Sequence, residues 1–468
     1  MISKKLIGDK RFYSRILAIS IPIMVQNGIT NLVNLLDNVM VGSLGTESMS
    51  GVSIVNQFVF IFNLIVFGAV SAGGIFTAQY YGLGDTRGVR STFRFKFLIN
   101  LILAAFAIGA LLLFDDELIM SFIHQGAEGE SLNSALTLSE GKRYLRIFVI
   151  GMIPYAITQV YASTLRETEE TKLPMYASII ALAGNFLLNI LFIFGLDMGV
   201  RGAAIATVIS RFLELFFIVY VTHKSKEKYA FIKGAYRSFR IPASLVRGII
   251  IRGLPLMANE FLWSVSMTLR NQCYSTRGLD AVAAINIATV IINLINVVYM
   301  ALGSSIAIVV GEKLGAGDIE DAKDTATKML TFSIFAAVCS GVLMAAVAPV
   351  FPLIYDTTSS VRSLSTYMTL ISAAFIPFVS FAFSAYFVIR TGGRVFLTFM
   401  MDCGIMWTVV VPLSLSLAYL TDISINWLYF ICQGIEIIKL IPGLIILKRG
   451  TWARQLVSSE NKIEVEEL

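Results

Sequence analysis

Four asparagines in the first apolar stretch of this chain are spaced so that they share one face of a helix. Asn27, Asn31, Asn34 and Asn38 follow the pattern i, i+4, i+7, i+11, and Asp37 lies near the same face. Amides and a carboxylate that faced lipid would lack hydrogen-bond partners, so this face must look into the protein or into a wet cavity. A carboxylate in such a place can bind and release a proton or Na⁺.

The same pattern of polar residues returns on three further apolar segments. Two of those copies lie in the second half of the chain, where each matching residue follows its counterpart in the first half by one constant number of positions, the repeat offset. A continuous stripe on four helices indicates a cavity lining. The alternative is that each amide only hydrogen-bonds a neighbouring helix, which is common between membrane spans. The predicted lining residues are Asn27, Asn31, Asn34, Asn56, Asn63, Ser264, Asn286, Thr289 and Asn293.

Ionisable residues inside apolar segments are the strongest functional candidates, because each costs about 2.5–3.5 kcal/mol near the bilayer centre. Asp37 is the first of them, and Glu260, Arg270 and Asp402 are the candidates in the second half of the chain. The constant offset takes Asp37 to Arg270, so a structural ion pair between the two is the alternative to a cation-binding Asp37.

Two i, i+3 pairs of opposite charge are predicted to be structural salt bridges. They are Arg211 with Glu214 and, with the signs exchanged, Glu436 with Lys439.

The elements that position these residues are membrane-length helices. The chain has 468 residues, of which 56% are hydrophobic and 15% charged, and its mean hydropathy is +0.76. The apolar runs are too long and continuous for barrel strands. Twelve spans are predicted, at residues 15–40, 50–78, 93–114, 144–165, 174–196, 201–222, 248–274, 282–310, 329–354, 364–389, 395–419 and 424–447.

The chain also repeats itself at this constant offset, which takes Pro22 to Pro255 and Gly82 to Gly315. Six spans per repeat make the repeats parallel, related by a pseudo-two-fold axis along the membrane normal. We therefore predict an all-α membrane protein of two six-helix lobes. The predicted parts are an N-lobe at 1–223, a basic cytoplasmic linker at 224–246, a C-lobe at 247–455 and a disordered acidic tail at 456–468.

Loop charges predict orientation and location. Lys and Arg concentrate at both termini and in the even-numbered connections, which places both termini in the cytoplasm of a multi-pass inner-membrane protein. Lys142, Arg143 and Arg146 are exceptions at the outer start of the fourth helix. The net charge of +6 reflects orientation and not nucleic-acid binding. No cofactor, metal motif or catalytic constellation is expected, so an enzyme is weakly supported.

The stretch LDNVMVGSL at 36–44 resembles the end of the first helix in the multidrug and toxic compound extrusion (MATE) family. The resemblance continues through 154–207, with an LR-x-x-x-x-T-K-x-P turn, an N-x-x-x-N motif and the segment GVRGAAIAT. It covers residues 15–450. It implies a V-shaped pair of six-helix lobes that exports organic compounds in exchange for H⁺ or Na⁺.

At the matching positions, the resemblance implies a cation site of Asp37, Asn185, Asn189 and Thr207. Asn189 departs from members that have a second acid at this position, which leaves one carboxylate and puts Na⁺ affinity in doubt.

In the second lobe, the family's seventh-helix acid corresponds to Glu260. The tenth-helix acid of some members is absent from 364–389, and Asp402 is the candidate to compensate.

The sequence therefore predicts a monomeric secondary antiporter that works by alternating access of its two lobes. Its 33 Phe and 17 Met residues suit amphipathic, cationic organic substrates. A flippase for a lipid-linked precursor is the alternative, and it would need a more strongly cationic cavity. A membrane-embedded enzyme is a second alternative.

Overall fold

The structure is a computed structural model that describes residues 6–126 and 134–457, except for the side chains of residues 34, 35 and 122–126. Helices make up all of the regular secondary structure in these ranges. The long helices are α1 (Lys10–Gly42), α2 (Thr46–Gly82), α3 (Thr86–Leu113), α4 (Ser134–Glu167), α5 (Lys172–Gly195), α6 (Gly199–Lys224), α7 (Ala243–Ser275), α8 (Leu279–Gly315), α9 (Ile319–Val347), α10 (Ser359–Thr391), α11 (Val395–Leu420) and α12 (Ile425–Arg449).

Eleven of these helices are long and apolar enough to cross a membrane. The remaining helix, α7, is also long enough but carries Arg252, Glu260 and Arg270. Twelve long helices match the twelve predicted spans, and the prediction of an all-α membrane protein is confirmed.

Packing divides the chain into two compact units, each with its own interior. The first unit consists of Met1–Met24, Ala78–Asp85 and Leu254–Leu468. The second consists of Val25–Thr77 and Thr86–Gly253. Helices α1, α2 and α7 each contribute residues to both units. The predicted lobe boundaries at 223 and 247 stay a prediction.

Within the first unit, the C-terminal ends of α2 and α8 contact each other reciprocally. A methyl group at Gly82 would lie 1.8 Å from the carbonyl oxygen of Glu312, and one at Gly315 would lie 1.9 Å from that of Gln79. The repeat offset that takes Gly82 to Gly315 also takes Gln79 to Glu312. The contact therefore has the two-fold symmetry that the sequence repeat predicts, and only glycine permits so close an approach.

The last described residues, 451–457, form a segment packed against this contact; we call it the C-terminal segment. The Gln79 amide donates to the carbonyl oxygens of Thr391 (3.1 Å) and Arg454 (3.3 Å), and its oxygen accepts from the Leu456 amide (2.7 Å). Val457 is 2% exposed. The predicted tail at 456–468 therefore begins two residues too early, and its remainder at 458–468 lies outside the described residues.

Acidic neighbours neutralise the basic residues at the start of α4 that run against the charge pattern. Lys142 lies 2.7 Å from Asp116 and 3.3 Å from Asp115, on the short helix Asp115–Gly126. Arg143 lies 2.6 Å from Glu140. These cations therefore add little net charge to this end of the molecule.

The reciprocal glycine contact gives a first prediction. We expect Gly315→Ala to lower the unfolding temperature of the detergent-solubilised protein, because overpacking against backbone costs about 1–3 kcal/mol. Gly109→Ala in α3 is the matched control, since no atom lies within 4 Å of the added methyl group. Equal unfolding temperatures for the two variants would contradict the contact.

Candidate functional site

The second unit holds the carboxylate and the three polar residues that the sequence assigned to a cation site. The Asn189 amide donates to Asp37 Oδ1 at 2.7 Å and to Asn185 Oδ1 at 3.2 Å. The Asn185 amide donates to Thr207 Oγ1 at 3.4 Å. Helices α1, α5 and α6 thus bring all four residues into one hydrogen-bonded chain.

The three uncharged members of this chain of residues are buried, and its carboxylate is half-buried. Asn185, Asn189 and Thr207 are 2%, 1% and 7% exposed, while Asp37 is half-buried. No Lys or Arg of the described residues forms a salt bridge with Asp37. The side-chain oxygen of Asn189 also has no hydrogen-bond partner within the described part of the chain. The site therefore offers a carboxylate and a free buried amide oxygen, both of which are suitable ligands for a cation.

A change in helix winding accompanies this site. Helix α5 is α-helical to Asn189 and then continues as a π-helix over Ile190–Gly195. In the first unit, Asp402 lies within another π-helical turn, Met400–Gly404 of α11. π-helical turns are rare and frequently occur at functional sites. The sequence analysis missed both turns, and no residue pattern in the sequence predicts them.

A second polar network in the same unit runs from α4 to α6 through α1 and α5. Arg166 donates to Gln26 Oε1 (3.3 Å), and the Gln26 amide donates to Ser178 Oγ (3.1 Å). Ser178 donates to Glu214 (2.9 Å), which also pairs with Arg211 at 3.4 Å. The predicted Arg211–Glu214 salt bridge is confirmed, and it belongs to a longer chain of contacts.

The candidates of the first unit form a charge network of a different kind. Glu436 accepts from Arg270 and lies 3.5 Å from Lys439, and Lys439 lies 2.9 Å from Asp402. The Asn259 amide also donates to Asp402, at 3.1 Å. Two cations and two carboxylates therefore neutralise one another. The predicted Glu436–Lys439 pair is confirmed.

The alternative pairing of Asp37 with Arg270 is wrong. Arg270 hydrogen-bonds Glu436, while Asp37 accepts from Asn189. The sequence analysis missed these partners because α7 meets α12 in space, and the repeat offset does not predict that contact. It also missed the bond between Lys439 and Asp402.

Glu260 stands apart from this network. It is half-buried on α7, and no described residue forms a salt bridge or hydrogen bond with its side chain. Arg390 acts on it electrostatically from α10. The Arg390 guanidinium is 5% exposed and lies 4.5 Å from the centre of the Phe387 ring. Glu260 and Asp37 are thus the two candidate acids without a directly bonded cation.

The predicted lining residues are largely open and make no side-chain hydrogen bond among the described residues. The side chain of Asn34 lies outside the description. Of the others, the half-buried residues are Asn27, Asn31, Asn56, Asn63 and Ser264, and the exposed residues are Asn286, Thr289 and Asn293. Amides that joined helices to each other would be bonded and buried, which these are not; their role as a cavity lining stays a prediction.

Comparison with known proteins decides the family. The MatE family model matches residues 22–192 and again 255–420, and the two matches begin at the repeated prolines Pro22 and Pro255. The chain belongs to the MatE family. A second model, described as lipid II flippase MurJ, matches the shorter range 134–272.

Several curated proteins are similar to this MatE-family chain. A probable multidrug resistance protein NorM of Thermotoga maritima is 28% identical over 65% of this chain. The chain spans 64% of the length of that relative. The multidrug and toxin extrusion protein 1 of Xenopus tropicalis is 23% identical over 94% of this chain and 75% of its own length.

Solved structures of transporters share the fold of this chain. An outward-facing multidrug resistance MATE transporter superposes with a TM-score of 0.84, at 19% identity over 96% of this chain and 98% of its own. A transporter from Pyrococcus furiosus, described as having a binding pocket of reverse polarity, gives 0.82 at 18% identity over 95% and 97%. At these identities the comparison shows the fold.

The charge network of the first unit gives a second prediction. Glu436→Gln should lower the unfolding free energy of the solubilised protein by about 3–5 kcal/mol, because it leaves the buried Arg270 without its carboxylate. Glu320→Gln, which removes the exposed partner of Lys323, should change it little. Similar losses for both variants would show that Glu436 does not hold the network together.

Proposed function

We propose that this protein is a secondary antiporter that exports amphipathic, cationic organic compounds in exchange for H⁺ or Na⁺. The observation that carries the proposal is the bonding of Asp37, a carboxylate on a membrane-length helix that accepts from an amide and is paired with no cation of residues 6–126 and 134–457. Its occupancy can therefore change, whereas Asp402 and Glu436 are held by Lys439 and Arg270. The names of the relatives, which denote multidrug resistance and extrusion, support the same activity.

Coupling follows from what a bound cation does to the hydrogen bonds of Asp37. A proton or Na⁺ on the carboxylate removes or screens its charge and competes with the amide hydrogen of Asn189. Asn189 is bonded to Asn185, and Asn185 to Thr207, so the change passes to α5 and α6. A ligand that binds one conformation better than another shifts the equilibrium by that difference alone. Loading of Asp37 would thereby favour substrate release.

Alternating access also requires the ends of α2 and α8 to move apart. With both termini in the cytoplasm, the reciprocal glycine contact and Gln79 lie on the cytoplasmic side. Substrate entry from the cytoplasm would require these ends to separate and the bonds from Gln79 to Thr391 and Arg454 to break. We assign the contact to the cytoplasmic gate of a protein that functions as a monomer.

A flippase for a lipid-linked precursor is the second candidate, and the match to the MurJ model over 134–272 favours it. Such a protein would need cations free to bind phosphate. Arg270 and Lys439 are instead paired with carboxylates. The MatE match, which covers both halves of the chain, supports antiport more strongly.

Transport by the Asp37→Asn variant tests the proposal. We expect it to abolish export of a fluorescent organic cation from proteoliposomes under pH and Na⁺ gradients imposed separately, because an uncharged amide takes up no proton near neutral pH and binds Na⁺ more weakly than a carboxylate does. Asp280→Asn, at an exposed position at the start of α8, is the matched control and should transport normally. Export by Asp37→Asn at the parental rate would refute Asp37 as the coupling site.

The single carboxylate of the site gives a further prediction. Asn189→Asp places a second acid at the atom that now bonds Asp37, and two carboxylates bind a hard cation better than one. We expect transport to become more dependent on the Na⁺ gradient. The Na⁺ concentration needed for the half-maximal rate should fall about tenfold. Asn38→Asp adds the same charge one residue from Asp37 on an exposed side chain. If both variants respond alike, Asn189 is not a ligand position.

A further inference from the structure

The connection between α6 and α7 carries an unusual share of the charge of the protein. Residues Lys224–Arg247 contain seven Lys or Arg and one Glu, a net charge of +6 from seven minus one. The whole chain also has a net charge of +6, so the rest of it is neutral overall. We call this segment, which is the predicted linker extended by Arg247, the basic linker.

The basic linker is not a loose loop, because two arginines of α3 hold its backbone. Arg90 donates to the carbonyl oxygens of Phe231 (3.1 Å) and Ala230 (3.4 Å). Arg94 donates to those of Ala235 and Gly234, both at 2.8 Å. Two guanidinium groups thus fix four carbonyl oxygens, and a charged donor makes each bond stronger than a neutral one would be.

An ion pair and buried side chains add to this attachment. Lys228 and Tyr229 both bond Glu170, in the turn between α4 and α5. Burial alone would raise the pKa of Glu170, but the bond and charge of Lys228 outweigh it and hold that pKa below its usual value. Phe231 and Ile232 are each 4% exposed. One side of the linker is therefore buried against the rest of the second unit, to which the linker itself belongs.

Aromatic rings define the boundary between this buried side and the exposed one. Tyr161 hydrogen-bonds Tyr236, and the Phe97 ring lies 6.1 Å from that of Phe239 in a stacked arrangement. Tyr236 and Phe239 nevertheless remain 41% exposed. The exposed side therefore presents two partly open rings together with cations.

These exposed cations are not neutralised by the protein. Lys226, Arg237, Arg240 and Arg247 are exposed and form no ion pair with any described residue. The helix ends that flank the connection between α8 and α9 are the opposite case. Their cations are matched by carboxylates, in the pairs Lys313–Asp321, Lys323–Glu320 and Lys328–Asp324. Among these two connections, only the basic linker leaves its charge available to a partner.

We propose that the exposed side of the basic linker binds the anionic phospholipid headgroups of the bilayer that surrounds the protein. Both ends of the linker continue into membrane-length helices, so lipid phosphates are the anions nearest to it. A Lys or Arg beside an anionic leaflet contributes attraction that salt weakens, and rings such as Phe239 suit the interface. The alternative is that these cations serve only to orient the helices in the membrane. Orientation would need only the charges, and it does not explain why the linker is fixed to α3.

Lipid binding by the purified protein tests the proposal. Phosphatidylglycerol or phosphatidylcholine is titrated into the detergent-solubilised protein at low and high salt, and bound lipid is counted by native mass spectrometry. We expect a preference for phosphatidylglycerol that salt reduces, and an affinity about tenfold weaker in Arg237→Gln/Arg240→Gln. Lys323→Gln/Lys328→Gln removes the same charge from ion-paired positions and should keep the parental affinity. No preference, or equal losses in both variants, would overturn the proposal.

Two further experiments test whether the fixed linker is needed and whether it prefers lipid to a soluble polyanion. Arg94→Gln leaves every linker cation in place but removes two of the bonds that fix the segment, and it should also weaken phosphatidylglycerol binding. A single-stranded oligonucleotide replaces the lipid in the second arm. If it binds as tightly as phosphatidylglycerol and through Arg237 and Arg240, the surface recognises soluble polyanions and the proposal fails. The unfolding temperature in phosphatidylcholine shows that each variant is folded.

Discussion

A carboxylate within a bilayer must be paired with a cation, hydrogen-bonded, or able to take up an ion, because an isolated charge there is too costly. The two units meet this constraint differently. In the first, Asp402 and Glu436 are bonded to Lys439 and Arg270, so their charges are fixed. In the second, Asp37 is bonded to the Asn189 amide, which satisfies one lone pair without cancelling the charge. The difference separates carboxylates that already have cationic partners from one whose bonded partner is an amide.

The internal repeat supplies one helical framework, and the side chains give its two copies different chemistry. The two copies are equivalent where α2 and α8 meet, because glycine at each of two repeat-related positions lets one helix approach the backbone of the other. At the repeat position of Asp37 the chain has Arg270, and there the symmetry ends. A cation at that position draws in Glu436 from α12, which builds the neutral network of the first unit.

Much of the fold and part of the site could be predicted from the sequence, since both follow from local periodicity. Segment length and polarity predict the twelve helices, and the spacing of Arg211 and Glu214 predicts their salt bridge. Contacts between distant helices could not be predicted in this way. The bond from Lys439 to Asp402 and the role of Gln79 depend on which helices meet and at what height. The π-helical turns at Asn189 and Asp402 follow from packing, and no local pattern signals them.

The C-terminal segment has a practical consequence for work with this protein. Gln455 donates to the Gly315 carbonyl oxygen at 2.9 Å, and the backbone of Trp452 fits against Gly392 with no room for a methyl group. The final described residues are therefore anchored to the ends of α2, α8 and α10, through the buried Trp452 and Val457 and the bonds of Arg454, Gln455 and Leu456. An affinity tag or fluorescent reporter attached directly after Val457 would disturb the packing of the C-terminal segment against the ends of α2 and α8. Fusions are better placed beyond a flexible spacer, and truncations should retain every residue through Val457.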